Sequence, residues 1–111
     1  NRIKQGMSLG SDVTARYANK LDNNKQALSK AQFALQSPYN TRLTDGSMNG
    51  KLPIGPICNP GKESIEAAIK PEVSNYTFFI ANIQTKETFF FKYSSEFEKK
   101  KSELASVNGG L

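Results

Sequence analysis

The chain has 111 residues, enough for one domain with a modest core and no more. Its 37% hydrophobic content and mean hydropathy of −0.55 describe a surface-rich domain, and no apolar stretch approaches the length of a transmembrane helix. Without a single histidine it has no Ser/His or Cys/His nucleophilic pair and no histidine metal site, and the lone Cys58 allows neither an intrachain disulfide nor a thiolate zinc cluster.

The net charge of +5 comes partly from the run Lys99-Lys100-Lys101, which reads as a solvated helix face. A nucleic-acid surface would interleave such cations with aromatics on strands, whereas the aromatics here gather in a separate stretch, Tyr76 to Tyr93. Nucleic acid is therefore not expected as a partner, while an anionic polymer or lipid surface is compatible with the charge. The opening Asn1-Arg2-Ile3-Lys4-Gln5-Gly6-Met7 lacks the apolar core of a secretory signal and an initiating methionine, so the chain is read as a piece of a longer protein.

In chain order, Ser11-Asp12 supplies good N-cap residues for a first helix whose Val13, Tyr17 and Leu21 recur every four residues and share one face. Asp22-Asn23-Asn24 interrupts it. A second helix, about Lys25 to Leu35, puts Leu28, Ala31 and Leu35 on one side. A long irregular segment, Ser37 to Gly61, follows. Its stretch Thr44 to Gly50 is expected to be a mobile, turn-forming excursion, and its end, Leu52-Pro53-Ile54-Gly55-Pro56-Ile57-Cys58-Asn59-Pro60-Gly61, carries three prolines and two glycines in ten residues. Asn59 is expected to cap a short helix with Pro60 in its first position and Pro71 as its stop, and Ile65, Ala68 and Ile69 form an apolar stripe. Tyr76 to Ala81 and Thr88 to Tyr93 read as an antiparallel hairpin with core-forming aromatics. Ser95 and Glu98 form a capping box for a last helix carrying Phe97 and Leu104, and the tail 106–111 is expected to fray. This order predicts an α+β fold forming a single unit over 1–111.

Asp12 reads either as a cap or as a carboxylate facing a ligand at a positively polarised helix start. Tyr39, Asn40 and Thr41 read either as a satisfied turn or as ring, amide and hydroxyl groups suited to sugar hydroxyls and N-acetyl groups. Glu63, Glu66 and Glu87 lie among polar neighbours and read as solvated, and no local pair of carboxylates announces a glycosidase. Cys58 reads as a small buried filler.

The elements Asn1-Arg2-Ile3, Gly6-Met7-Ser8-Leu9, Ser11-Asp12, Thr14 and Tyr17 are followed by Ser37-Pro38-Tyr39-Asn40-Thr41, Leu52-Pro53-Ile54-Gly55-Pro56-Ile57 and Asn59-Pro60-Gly61. With Ser64-Ile65, Ala67-Ala68, Pro71 and the aromatic hairpin, they resemble the C-terminal part of the catalytic domain of the endolytic murein transglycosylases, a family once labelled aminodeoxychorismate lyase-like. The resemblance implies a bacterial enzyme at the outer face of the cytoplasmic membrane, held there by an N-terminal helix that is not in this sequence. It acts on peptidoglycan glycan strands and needs no metal or cofactor.

The implied reaction is cleavage between N-acetylmuramic acid and N-acetylglucosamine with formation of a 1,6-anhydro end. The resemblance places the single general acid/base glutamate upstream of Asn1, so no catalytic residue is expected in this chain and the chain alone is expected to be inactive. It assigns substrate positioning or orientation of that acid to Asp12, Thr14, Tyr17, Ser37, Tyr39, Asn40 and Thr41. The cell-wall elongation machinery is a further implied partner. A non-catalytic glycan-binding module is the alternative reading. The sequence departs from the family in a longer excursion at Leu43 to Lys51, in Val13 where proline is common, and near Thr88 and Phe97, where histidines are often found.

Overall fold

Among the described residues, four helices and a two-stranded antiparallel sheet make this an α+β chain, as the order of its sequence signals predicts. The structure is a computed structural model and describes residues 1–21 and 27–108. The elements run α1 (Asp12–Ala18), α2 (Lys30–Phe33), α3 (Lys62–Ile69), β1 (Phe78–Ala81), β2 (Thr88–Phe91) and α4 (Ser94–Glu103). Contacts gather them into two compact units, Arg2–Pro71, and Asn1 with the residues from Glu72 onward. No helix among the described residues is long and apolar enough to cross a membrane.

In the Arg2–Pro71 unit the helices are shorter than their periodicity suggests. α1 stops at Ala18, and Lys20 turns the chain with a positive φ of 57°. Leu21 thus falls outside the helix, and the expected Val13/Tyr17/Leu21 face is exposed while Thr14 and Ala15 are buried. Ser11, not Asp12, occupies the N-cap position. The start of α2 is set by a capping box in which Ser29 Oγ accepts from Gln32 N and Gln32 Oε1 accepts from Ser29 N. The expected start at Lys25 lies outside the described residues, as does the break at Asp22-Asn23-Asn24.

Gly61 takes the N-cap position of α3, so neither Asn59 nor Pro60 has the role expected of it. The helix ends ahead of Pro71 as expected, but its Ile65 and Ile69 are exposed and no α3 residue is buried. The excursion at 44–50 is pinned rather than loose. Met48 is buried, Gly50 N donates to Met7 O at 3.0 Å, and Asp45 Oδ1 accepts from Ser47 N at 2.9 Å. Cys58 is exposed, contrary to expectation: from Pro53 to Cys58 the residues alternate between half-buried and exposed positions, and Cys58 falls on an exposed one.

In the second unit the hairpin pairs Phe78 with Phe91, Phe79 with Phe90, Ile80 with Phe89 and Ala81 with Thr88. Strand alternation sends Phe78, Ile80, Phe89 and Phe91 to one face, where Phe78 stacks on Phe97 of α4 at 5.3 Å and Lys100 Nζ lies 4.2 Å from the Phe89 ring centre. Only this half of the hairpin's aromatics turns toward α4, and it is half-buried rather than buried as the core was expected to be. Phe79 and Phe90 point outward and are exposed, with Tyr76 stacked on Phe90 at 5.8 Å.

The N-cap of α4 is Tyr93, without a side-chain cap, so the Ser95/Glu98 box does not form. The tail is anchored through Asn108, which is buried: its Nδ2 donates to Ala81 O at 2.8 Å and its Oδ1 accepts from Ile83 N at 3.2 Å. The expected fraying therefore does not extend to Asn108, and Gly109-Gly110-Leu111 lie outside the described residues.

Candidate functional site

The Ser37–Thr41 motif and the first turn of α1 are joined by a small polar knot. Thr14 Oγ1 donates its proton to Ser11 O at 2.6 Å and accepts from Thr41 N at 3.0 Å. With that proton spent, the 2.7 Å contact between the two threonine hydroxyls has Thr41 as donor. Thr41 Oγ1 in turn accepts from Ser11 N at 2.9 Å, and Thr41 O accepts from Gly10 N at 3.2 Å and from Ser8 Oγ. Gly10 sits at φ +60°, a conformation that suits glycine, and a Cβ there would lie 3.1 Å from Arg2 Nη1. That guanidinium nitrogen donates to Ser8 O and Leu9 O, and burial lowers the Arg2 pKa.

Asn40 completes the clamp on the other side. Its Nδ2 donates to Phe33 O at 3.0 Å and Leu35 O at 2.9 Å, taking up carbonyls at the end of α2, and its Oδ1 accepts from Arg42 N at 2.9 Å. Asn40 and Thr41 are fully buried and Thr14 nearly so, each with its polar atoms engaged by protein. Of the two readings open for Asn40 and Thr41, the satisfied turn is the one the geometry supports. These side chains do not face outward to a ligand, because the helix ends and the loop backbone have taken their hydrogen-bonding capacity.

The outward-facing members are Tyr17, Tyr39, Asp12 and Ser37. Tyr17 and Tyr39 meet with ring centres 4.8 Å apart and planes at 56°, leaving Tyr17 44% exposed and Tyr39 half-buried. Tyr39 packs so closely on Gly55 that a Cβ there would stand 3.2 Å from its hydroxyl oxygen, which explains one glycine of the Pro/Gly segment. Asp12 Oδ1 receives Arg42 Nη1 at 2.5 Å, and the Arg42 guanidinium also lies 4.6 Å from the Phe33 ring centre. Ser37 Oγ accepts from Tyr39 N at 3.2 Å, and Ser37 lines a groove of about 530 Å³ with Pro38, Leu43, Met48, Lys51 and Ile54.

Sequence reasoning overlooked Arg42, Ser8 and Lys51. Arg42 follows Asn40-Thr41 directly, a signal that could have found it. Ser8 lies in the quoted Gly6-Met7-Ser8-Leu9 element, which pointed to it without giving it a role, and Lys51 carries no local signal. No group of three or more His, Cys, Asp or Glu able to hold a metal occurs among the described residues.

The YceG-like family matches residues 1–103 of this chain. An endolytic murein transglycosylase of Bacillus subtilis (strain 168) is 35% identical over 106 residues, covering 96% of this chain and 27% of the relative. A crystal structure of a YceG-like protein from Listeria monocytogenes superposes with a TM-score of 0.76 at 38% identity, covering 89% of this chain and 30% of that one. The chain therefore spans less than a third of the length of either relative.

Proposed function

Since this chain belongs to the YceG-like family, we propose that it forms one wall of the glycan cleft of an endolytic murein transglycosylase. The observation that carries the proposal is the hydrogen-bonded clamp between Ser37–Thr41 and α1, which sets the half-buried Tyr39 against the exposed Tyr17 as a partly open aromatic surface. Aromatic faces suit the C–H faces of pyranose rings, and Asp12, held by Arg42, offers acceptor oxygens to sugar hydroxyls or amides. Thr14, Ser37, Asn40 and Thr41 act here as positioning residues: they fix the loop on which Tyr39 rides. Thr14 and Thr41 also tie that loop to the first turn of α1.

The proposed chemistry needs one carboxyl group, from a glutamate preceding the position of Asn1 in the whole protein. As general acid it gives its proton to the glycosidic oxygen, and the bond from that oxygen to C1 of N-acetylmuramic acid breaks. As general base it then takes the proton of the muramyl 6-hydroxyl, whose oxygen bonds to C1 and closes the 1,6-anhydro ring. The proton returns to the carboxylate and no water is consumed, so one group switching roles replaces the carboxylate pair of a hydrolase. The reading places the whole protein at the outer face of the bacterial cytoplasmic membrane, acting on nascent strands beside the elongation machinery.

The test is product analysis by mass spectrometry after the full-length protein acts on un-crosslinked glycan strands. Products with 1,6-anhydromuramyl ends are expected. Reducing ends alone would overturn the transglycosylase reading, and strand retention without any cleavage would favour the non-catalytic binding module.

A further inference from the structure

We infer that the groove beside Ser37 receives the lactyl-peptide arm of the muramic acid residue, and that Lys51 pairs with a carboxylate of that peptide. The inference rests on the transglycan reading above and adds a specificity determinant to it. The groove holds about 530 Å³, within the roughly 300–1,000 Å³ of ligand clefts. Its apolar lining comes from Leu43, Met48 and Ile54, its polar lining includes Ser37 and Ser47, and Lys51 is the one charged residue on it. No ion pair engages Lys51 among the described residues.

That chemistry suits a peptide better than a sugar. A pyranose calls for an aromatic face and a dense set of hydrogen-bonding groups, and no aromatic side chain lines the groove. Muramic acid differs from glucosamine by a lactyl ether that continues into a peptide. That arm carries small methyl groups for an aliphatic floor and free carboxylates for an exposed ammonium, so the charges are complementary. The groove begins at Ser37-Pro38, next in sequence to Tyr39, whose N–H is held by Ser37 Oγ and whose ring packs on Tyr17. A sugar on the tyrosine pair and its peptide in the groove would thus share one rigid loop.

The opposite wall comes from the Leu43–Lys51 excursion, through the buried Leu43 and Met48 together with Ser47 and Lys51. Asp45 does not line this groove. Its carboxylate is taken up by Ser47 Oγ at 2.5 Å and by Gln36 Nε2 at 3.2 Å.

The experiment compares retention of two un-crosslinked strand preparations on the full-length protein, one with stem peptides and one from which an amidase has removed them. Peptide-bearing strands are expected to bind about fivefold more tightly, and Lys51→Glu is expected to reduce that preference to less than about twofold. A second variant, Lys51→Gln, removes the charge without reversing it and is expected to fall between the two. Equal retention of both strands by the unaltered protein, or a preference that survives Lys51→Glu, overturns the inference. Because retention is read apart from the products, 1,6-anhydro ends formed without a peptide preference would sink the groove assignment alone. Reducing ends accompanied by a peptide preference would instead sink the reaction and keep the groove.

Discussion

The two units are held together by different physics. Around the Ser37–Thr41 loop the largest fully buried side chains are Asn40 and Thr41, both polar, and their hydrogen bonds are directional. In the hairpin unit most of the joining contacts are made by rings, Phe78 on Phe97, Lys100 over Phe89 and Tyr76 on Phe90 at the surface, with the buried Asn108 tying the tail to Ala81 and Ile83. A polar knot tolerates few substitutions, because losing one partner strands the others in a buried place. Apolar packing depends on area and shape and forgives swaps of similar volume. The loop therefore gains one defined geometry, with the Tyr39 ring held at 56° to that of Tyr17.

The contrast is broken most severely at Asn40. Asn40→Leu keeps the approximate size but leaves two carbonyls and the Arg42 N–H unpaired, and urea unfolding should show a loss of about 3 kcal/mol. Thr41→Val removes the acceptor for Ser11 N and the donor to Thr14, with an expected loss of about 2 kcal/mol by the same measurement. On the apolar side, Phe78→Leu should cost only about 1 kcal/mol; a loss as large as that of Asn40→Leu would erase the distinction between the units.

Gly55→Ala sharpens the comparison at the tyrosine pair. Its Cβ would press on the Tyr39 hydroxyl, so the ring resonances of Tyr17 and Tyr39 should shift in NMR spectra while stability changes by less than about 1 kcal/mol.

The smallest effect is expected from pH at Asp45. The hydroxyl and N–H of Ser47, with the amide of Gln36, hold this exposed carboxyl below its ordinary value. A group depressed in the folded state stabilises above its unfolded pKa, and that contribution fades as pH falls through the folded pKa. Acid titration of stability from about pH 5 downward should show a slightly shallower loss in Asp45→Asn than in the unaltered chain.

Much of the fold was legible because its signals are local. The aromatic, β-branched stretches at 76–81 and 88–93 announce a hairpin, and the strands form inside them. Helix boundaries were less legible. Val13, Tyr17 and Leu21 have helical spacing, yet the chain leaves the helix after Ala18, and the side of α1 that turns inward is the one meeting Thr41. Spacing says which residues share a face and not which face is covered. The same limit explains Ile65 and Ile69, whose stripe is real in sequence and exposed in the structure. At the candidate site the motif was visible from its residue types, but the division of labour within it was not. Asn40 and Thr41 carry the same groups whether those groups bind a sugar or a neighbouring carbonyl.

By itself, then, the sequence determined the α+β order and the place of the loop, because proline, glycine and strand alternation act on neighbours a few residues away, and its motifs pointed to the family. Only the tertiary structure decided that Thr14, Asn40 and Thr41 face inward while Tyr17, Tyr39 and Asp12 face out. The decisive contacts, such as Thr14 to Thr41 across 27 residues, form only when distant backbone donors and acceptors are brought together in a place without water.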